Sequence, residues 1–250
     1  MISVFYFSGT GNTAWAVRRL CDYLSERGEE TKLYSIDIKE CPGDEELLHI
    51  IKNSDIIGIA YPIYGANIPP IMIKFISKIK GIKCKNEIPT KKIFMLNTFG
   101  YVNAFGPVAA KKIWKSSGFD MLAYINVRLT DNTSNKDQTD IAKIRMQAAE
   151  LELQKSAEAL AKKEKYIKGY GFYLLPGIII RRITRPLIKD NYKNMFIEKQ
   201  LCNKCGICIE NCTAQAITYV NNEIIFTSDC TACRRCLNTC PQKAVKQKKG

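Results

Sequence analysis

The chain has 250 residues, 46% of them hydrophobic, eleven cysteines and a formal net charge of +14. That is enough apolar material for one medium domain and a small one, and no stretch approaches the ~20 apolar residues of a spanning helix, which sets aside the helical membrane class. The opening MISVFYFSGTG has neither a basic leader nor a small-residue cleavage site, so a cytoplasmic protein without a signal peptide is expected. In that setting crowded cysteines point to metal rather than disulfides.

From residue 1 to about 165, strand and helix patterns alternate. Met1–Phe7 reads as a first strand, followed by an amphipathic helix over Asn12–Glu26. TKLYSI is a second strand, and GDEELLHIIKN a helix whose acidic first turn suits its dipole. SDIIGIAYPIYG is almost continuously apolar, as strands buried on both faces are. PPIMIKFISKI starts with proline where a helix can start. KKIFMLNTFG is a fourth strand, NAFGPVAAKKIWKSSG a fourth helix, and DMLAYINVRL a fifth strand. A polar loop then leads into a long helix from about Asp140 to Lys165. Five strands alternating with five helices predict an α/β domain with a doubly wound, five-stranded parallel sheet.

Residues 166–197 break the pattern. They are basic and apolar, and read as a connector between modules. The competing expectation is peripheral membrane contact, with Arg181, Arg182 and Arg185 facing lipid headgroups.

Residues 198–250 hold an internal repeat. Cys202, Cys205, Cys208 and Cys212 recur as Cys230, Cys233, Cys236 and Cys240, each displaced by 28 residues, and Ala216–Ile217 recurs as Ala244–Val245. Each unit reads C-x2-C-x2-C-x3-C. Three thiolates two residues apart can wrap one corner of a cubane, while the fourth, expected to start the following helix, points away to the other cluster. The predicted ligand sets are Cys202, Cys205, Cys208 and Cys240 for one cluster, and Cys230, Cys233, Cys236 and Cys212 for the second. Zinc normally takes two separated C-x2-C pairs or mixes in histidine, and the one histidine, His49, is distant in sequence. The segment resembles the bacterial-type two-[4Fe-4S] ferredoxins over essentially their whole length. Pro241 follows the fourth cysteine as that family prefers, but Thr213 stands in the matching place of the first unit. Two such clusters with their thiolates would lower the formal charge to about +10. No nucleic-acid motif accompanies the basic excess, so nucleic acid is not an expected partner.

The loop after the first strand, FSGTGNT, lacks the lysine of a Walker P-loop. Gly9-x-Gly11-x-x-Ala14 with Asp37 satisfies the dinucleotide fingerprint formally. Yet the glycines are interleaved with Ser8, Thr10, Asn12 and Thr13, the hydroxyl and amide donors a terminal phosphate needs. Two further loops follow strands three and four. Tyr61, Pro62, Ile63, Tyr64 and Gly65 lie in one, and Asn97, Thr98, Phe99, Gly100 and Tyr101 in the other. Both loops fall at the carboxyl ends of strands, where open α/β sheets bind ligands. Any of Tyr61, Tyr64, Phe99 and Tyr101 could sandwich a flat ring.

Together these residues resemble the flavodoxin family, whose phosphate loop has the form [ST]-x-T-G-x-T. The resemblance covers residues 1–165. It implies strand order 2-1-3-4-5, noncovalent FMN bound by Ser8, Gly9, Thr10, Gly11, Asn12 and Thr13 and by the two later loops, and Gly65 as the flexible peptide at flavin N5. The family's usual tryptophan is absent from both loops, and so is its strong acidity.

The order flavodoxin module, connector and two-cluster ferredoxin resembles flavodoxin–ferredoxin fusions of anaerobic microbes. It implies an electron carrier coupling one- and two-electron chemistry between unidentified redox partner proteins. The alternative is a flavin-dependent reductase of a small molecule, fed by the clusters, with Tyr61, Tyr64 or Tyr101 as proton donor. His49 reads as a solvated helix residue, and Cys21, Cys41 and Cys84 as idle thiols.

Overall fold

A computed structural model describes residues 1–100, 103, 106–130, 139–168, 179, 182, 183, 191–221 and 223–248. Six parallel strands form one sheet in the order β2-β1-β3-β4-β5-β6. They are β1 (Ile2–Tyr6), β2 (Thr31–Ser35), β3 (Ile56–Pro62), β4 (Lys91–Phe99), β5 (Phe119–Arg128) and β6 (Tyr166–Ile167). The helices are α1 (Asn12–Ser25), α2 (Asp44–Asn53), α3 (Pro70–Lys85), α4 (Pro107–Trp114) and α5 (Thr139–Ala161).

The expected order 2-1-3-4-5 is observed, with one strand added at the edge. In β6, Tyr166 and Ile167 pair with Ala123 and Tyr124, so the first residues of the expected connector belong to the sheet. Two residues are too few to carry an alternation signal. Helix α3 continues six residues beyond its expected end, through Gly81, because Ile79 and Ile82 keep its apolar face against the core.

The sheet separates two apolar cores. Leu47, Ile51, Met72, Phe75, Ile79 and Trp114 of α2, α3 and α4 cover one face, packing on Phe5, Ile57, Ile59 and Met95. Val17, Leu20, Leu24, Leu153 and Leu160 of α1 and α5 cover the other, on Ile2, Val4, Phe94 and Ile125. Neighbouring strand residues thus go to opposite cores, the period-two rule of a pleated sheet. In β5 the alternation is rephased by a bulge. Met121 faces Ile93 but Ala123 faces Phe94, which leaves Leu122 as the extra residue.

The C-terminal unit repeats in space what it repeats in sequence. Strand β7 (Met195–Ile197), helix α6 (Ile207–Glu210) and strand β8 (Ile217–Val220) recur as β9 (Glu223–Phe226), α7 (Arg235–Thr239) and β10 (Val245–Gln247). Pairing is crosswise and antiparallel, β7 with β10 and β8 with β9, so neither half is complete alone. The backbone repeats too. Lys204, Gly206 and Gln215 are left-handed at φ 58°, 78° and 48°, and Ala232, Arg234 and Lys243 match them at 52°, 61° and 49°. Five of these six residues carry a β-carbon in a region that costs about 1–2 kcal/mol each, so the surrounding loops must over-determine the shape.

Gly58 in β3 makes room for Phe94. A β-carbon there would lie 2.3 Å from the ring's Cζ. Gly58→Ala is expected to destabilise the protein by about 1–3 kcal/mol, the usual cost of overpacking, as read from the midpoint of urea unfolding.

Candidate functional site

The loop between β1 and α1 closes on hydrogen bonds of its own side chains. Ala14 N–H donates to Ser8 Oγ at 3.1 Å, and Asn12 Nδ2 donates to the Thr130 carbonyl at 2.8 Å. Thr13 and Thr98 share a buried hydroxyl–hydroxyl bond of 2.7 Å, which ties this loop to the end of β4. Gly11 is left-handed at φ 104°, and the space where its β-carbon would stand is open. The first turn of α1 therefore begins on an exposed glycine, the geometry of an anion cradle.

The loop after β3 is a tight turn. Tyr64 and Asn67 exchange both backbone hydrogen bonds around Gly65 and Ala66, which are left-handed at φ 48° and 65°, the pair of conformations that defines a type I′ turn. Gly65 is exposed at its tip, and its carbonyl accepts a 3.0 Å bond from Asn67 Nδ2. Ile63 N–H donates to the Thr98 carbonyl, joining this loop to the next. Pro62, Ile63, Phe99 and Gly100 are half-buried, and the Gly100 carbonyl accepts from Arg128 Nε. Tyr101 lies outside the described residues.

The aromatic side chains are not equivalent. The Tyr61 ring is completely buried in the core, so it does not stand free to stack on a ligand: period-two alternation turns it inward beside Ile57 and Ile59. Burial pushes its phenol well above the ordinary value. Tyr64 meets Phe7 edge to face at 6.3 Å, and burial raises its phenol as well. Two buried polar groups near the carboxyl ends of β3 and β4, the Tyr61 hydroxyl and both amide atoms of Asn97, have no hydrogen-bond partner. The two residues are paired in the sheet register. Unsatisfied buried groups of this kind call for a ligand or water. A flat ring with polar edges and a terminal phosphate fits the Asn97 amide, the Gly65 turn and the Gly11 cradle.

The cysteines fall into two groups. Cys202, Cys205, Cys208 and Cys240 line one cavity, closed by Ile197 and Val245. Cys212 lies close enough to Cys230 and Cys236 to perturb both electrostatically, as Cys233 also does. The third cysteine of each unit is in a short helix and the fourth follows that helix. This corrects the expectation that the fourth starts one: a single turn of helix is long enough only to carry the chain across to the other unit. Backbone N–H groups point at the sulfurs. Ala216 donates to Cys212 and Ala244 to Cys240, both at 3.2 Å, and Ala232 donates to Cys230 at 3.4 Å. Among the described residues no three His, Cys, Asp or Glu side chains converge tightly enough to hold a single metal ion. Four thiols standing around a cavity suit a larger cluster. Burial pushes the Cys230 thiol up to about 11 and Cys236 higher still, so loading must displace protons.

Thr213, which stands where Pro241 stands in the second unit, is buried, and its hydroxyl lies 3.6 Å from Cys233 Sγ. Its carbonyl accepts a 2.9 Å bond from Ile38 N–H. A proline would keep the carbonyl contact, so what the threonine adds in place of the ring is the hydroxyl beside Cys233.

Sequence reasoning missed Arg235. Its guanidinium donates to Asp37 Oδ2 at 2.5 Å, to the Ser8 carbonyl at 2.6 Å and to the Gly9 carbonyl at 3.2 Å. Asp37, which sits where a ribose-binding acid would, is instead held by this arginine. Burial raises the Asp37 carboxyl, and Arg235 opposes the rise. The arginine gives no signal in sequence because its partners lie about 200 residues away. Gly9 is missing a β-carbon for the same interface: one placed there would lie 2.5 Å from the Tyr64 hydroxyl and 2.7 Å from the Cys233 carbonyl. Lys39 Nζ to the Glu210 carbonyl at 3.0 Å and Lys74 to Asp229 at 2.9 Å complete the contact.

Residues 201–245 match the sequence family of the 4Fe-4S dicluster domain. A comparison with curated proteins finds no match. Among solved structures the chain is similar to rubredoxin oxygen:oxidoreductase from the anaerobe Desulfovibrio gigas, at 20% identity and a TM-score of 0.46, covering 65% of this chain and 36% of that one. It is similar to two-electron reduced flavodoxin of Megasphaera elsdenii at 16% identity and 0.45, covering 65% and 99%. Oxidised flavodoxin 2 from Bacillus cereus follows at 18% and 0.46, covering 65% and 98%. The chain thus spans about a third of the Desulfovibrio protein and nearly all of the flavodoxins. The chain is thus a parallel α/β unit followed by a segment that matches the 4Fe-4S dicluster domain.

The remaining thiols give a test of the packing. Cys21 is buried, and burial pushes it up to about 11, whereas Cys84 is exposed. At about pH 8 burial thus keeps Cys21 protonated and shielded from reagent. Peptide mapping after alkylation of the iron-loaded protein should find Cys84 labelled first and Cys21 unlabelled.

Proposed function

We propose that the chain is an electron carrier passing electrons between FMN and two [4Fe-4S] clusters, and so coupling two-electron and one-electron chemistry in anaerobic metabolism. The observation that carries this reading is a contact. The cysteine loop of residues 230–236 rests on the phosphate loop, with the Cys233 main chain against Gly9. A mere fusion would bring the two modules to high effective concentration; packing of this kind fixes them.

FMN exchanges one or two electrons and each cluster one, and the protein sets access and potential. Ser8, Gly9, Thr10, Gly11, Asn12 and Thr13 would hold the phosphate, and the Gly65 turn, Asn97 and Phe99 the ring. Cys202, Cys205, Cys208 and Cys240 would hold one cluster, and Cys212, Cys230, Cys233 and Cys236 the other. This reading divides the chain at about 168 and 195, narrowing the expected connector of 166–197 at both ends, because β6 pairs with β5 and β7 pairs with β10. The basic excess remaining after cluster loading suits acidic redox partner proteins. Of the three arginines considered for membrane contact, Arg182 is exposed, while Arg181 and Arg185 lie outside the described residues. No helix among the described residues is long and apolar enough to cross a membrane.

Anaerobic purification followed by cofactor analysis tests the reading: about eight irons, eight sulfides and one FMN per chain are expected. Iron without flavin would remove the coupling role. Rapid turnover with a small-molecule acceptor, in the absence of any protein partner, would favour the reductase instead.

Thr213 supplies a second test. A hydroxyl donating to a ligand sulfur favours the reduced, more negative cluster. Thr213→Val should lower one cluster potential by roughly 20–65 mV, which is a hydrogen bond of about 0.5–1.5 kcal/mol expressed for one electron. A potentiometric titration followed by electron paramagnetic resonance reads this. Two unchanged potentials would remove the hydroxyl from the tuning of either cluster.

A further inference from the structure

We infer that Arg235 couples the two modules, making the Cys212, Cys230, Cys233 and Cys236 group the inner station beside the flavin and the Cys202, Cys205, Cys208 and Cys240 group the port to outside partners. The inference rests on the functional reading above and adds an order of cofactors and a residue that sets it.

The ordering comes from where the units touch. The contacts to the α/β unit are made by the Glu210 and Thr213 carbonyls, by Asp229, and by Cys233 and Arg235. Thr213, Asp229, Cys233 and Arg235 each belong to or adjoin Cys212, Cys230, Cys233 and Cys236, and Glu210 lies midway between Cys208 and Cys212. The first loop of the other group faces away: Asn203, Lys204 and Cys205 are exposed. An outside protein therefore reaches the Cys205 edge, and the phosphate loop meets the Cys233 edge.

The coupling comes from the peptide group. In a trans peptide the C=O and the following N–H point in opposite directions. Arg235 draws the carbonyls of Ser8 and Gly9 toward the cysteine unit, which turns the N–H groups of Gly9 and Thr10 away from it. Those N–H groups belong to the loop that begins the anion cradle. An arginine of one module thus presets donors of the other for a phosphate. The fork is anchored on its third side by Asp37, whose side chain is 12% exposed and that of Arg235 25%. Planar geometry lets one guanidinium serve all three acceptors, which a lysine could not do. Because the coupling is thermodynamic it is reciprocal: docking favours phosphate binding, and bound phosphate favours docking.

With flavin and cluster bound, Gly9 and Cys233 would hold them side by side for a one-electron exchange, which needs no heavy-atom bond made or broken. Reducing equivalents enter from, or leave to, a one-electron redox protein at the outer group.

The test compares the cofactor-loaded wild type with Arg235→Ala, Arg235→Lys and Asp37→Asn. Each is assayed for iron and sulfide, for FMN affinity by fluorescence titration, and for the rate of cluster bleaching after rapid photoreduction of the flavin. Arg235→Ala should retain full iron and sulfide, bind FMN about tenfold more weakly, and pass electrons at least tenfold more slowly. Arg235→Lys should fall between it and wild type. Asp37→Asn lies outside both the cysteine loops and the phosphate loop, and should shift the same two quantities about threefold. It decides the matter should Arg235→Ala fail to hold its clusters. Unchanged FMN affinity and unchanged transfer rate in a variant with full iron would overturn the inference alone. A wild type that binds no FMN would overturn the functional reading and this inference with it.

Discussion

A carbonyl of the cysteine unit lies 2.7 Å from where a β-carbon on Gly9 would stand. Everything distinctive about this chain depends on that close approach of Cys233 to Gly9. It requires glycine at position 9 for a reason unrelated to phosphate. It also carries Arg235 to within reach of two loop carbonyls and Asp37. The contact lies at the carboxyl ends of the strands, where a doubly wound sheet leaves its binding crevice. One module thus forms part of the wall of the other's site.

The interface is polar, and its energy comes from satisfied groups rather than area. Arg235 and Asp37 are both largely removed from water, so deleting the arginine in the docked protein would leave a largely buried carboxylate whose other oxygen is already unpartnered. A half-satisfied buried charge is costly, which makes the docked arrangement specific. The crosswise pairing of β7 with β10 and β8 with β9 has a similar consequence inside the cysteine unit. Each half supplies the strand that the other needs, and the cavity lined by Cys202, Cys205 and Cys208 takes in Cys240 from the opposite repeat.

Much of this was legible in the sequence, where the signal is periodic or local. Apolar runs marked the five main strands, the resemblance to flavodoxins implied their order, and the displacement by 28 residues foretold a repeat that the backbone follows down to its left-handed residues. The loop from Ser8 to Thr13 was visible because hydroxyls and glycines at a strand–helix junction have few other uses. What stayed hidden is long-range or directional. Tyr61 looked like a ligand-facing ring because composition marks an aromatic loop but not which way a ring turns. The two-residue β6 is too short to have a period, and the placement of Cys212 and Cys240 after their helices depends on where a single turn ends. Arg235 carried no signal of its own, since its three acceptors lie at the far end of the chain.

An iron-edge anomalous map from anaerobically grown crystals of the cofactor-loaded protein tests the arrangement most directly. Two separate iron peaks are expected, one enclosed by Cys212, Cys230, Cys233 and Cys236 beside Gly9, the other by Cys202, Cys205, Cys208 and Cys240, with FMN density running from Gly11 to the Gly65 turn. Iron peaks each enclosed by four cysteines of a single repeat, or a cysteine unit seated away from the phosphate loop, would contradict it.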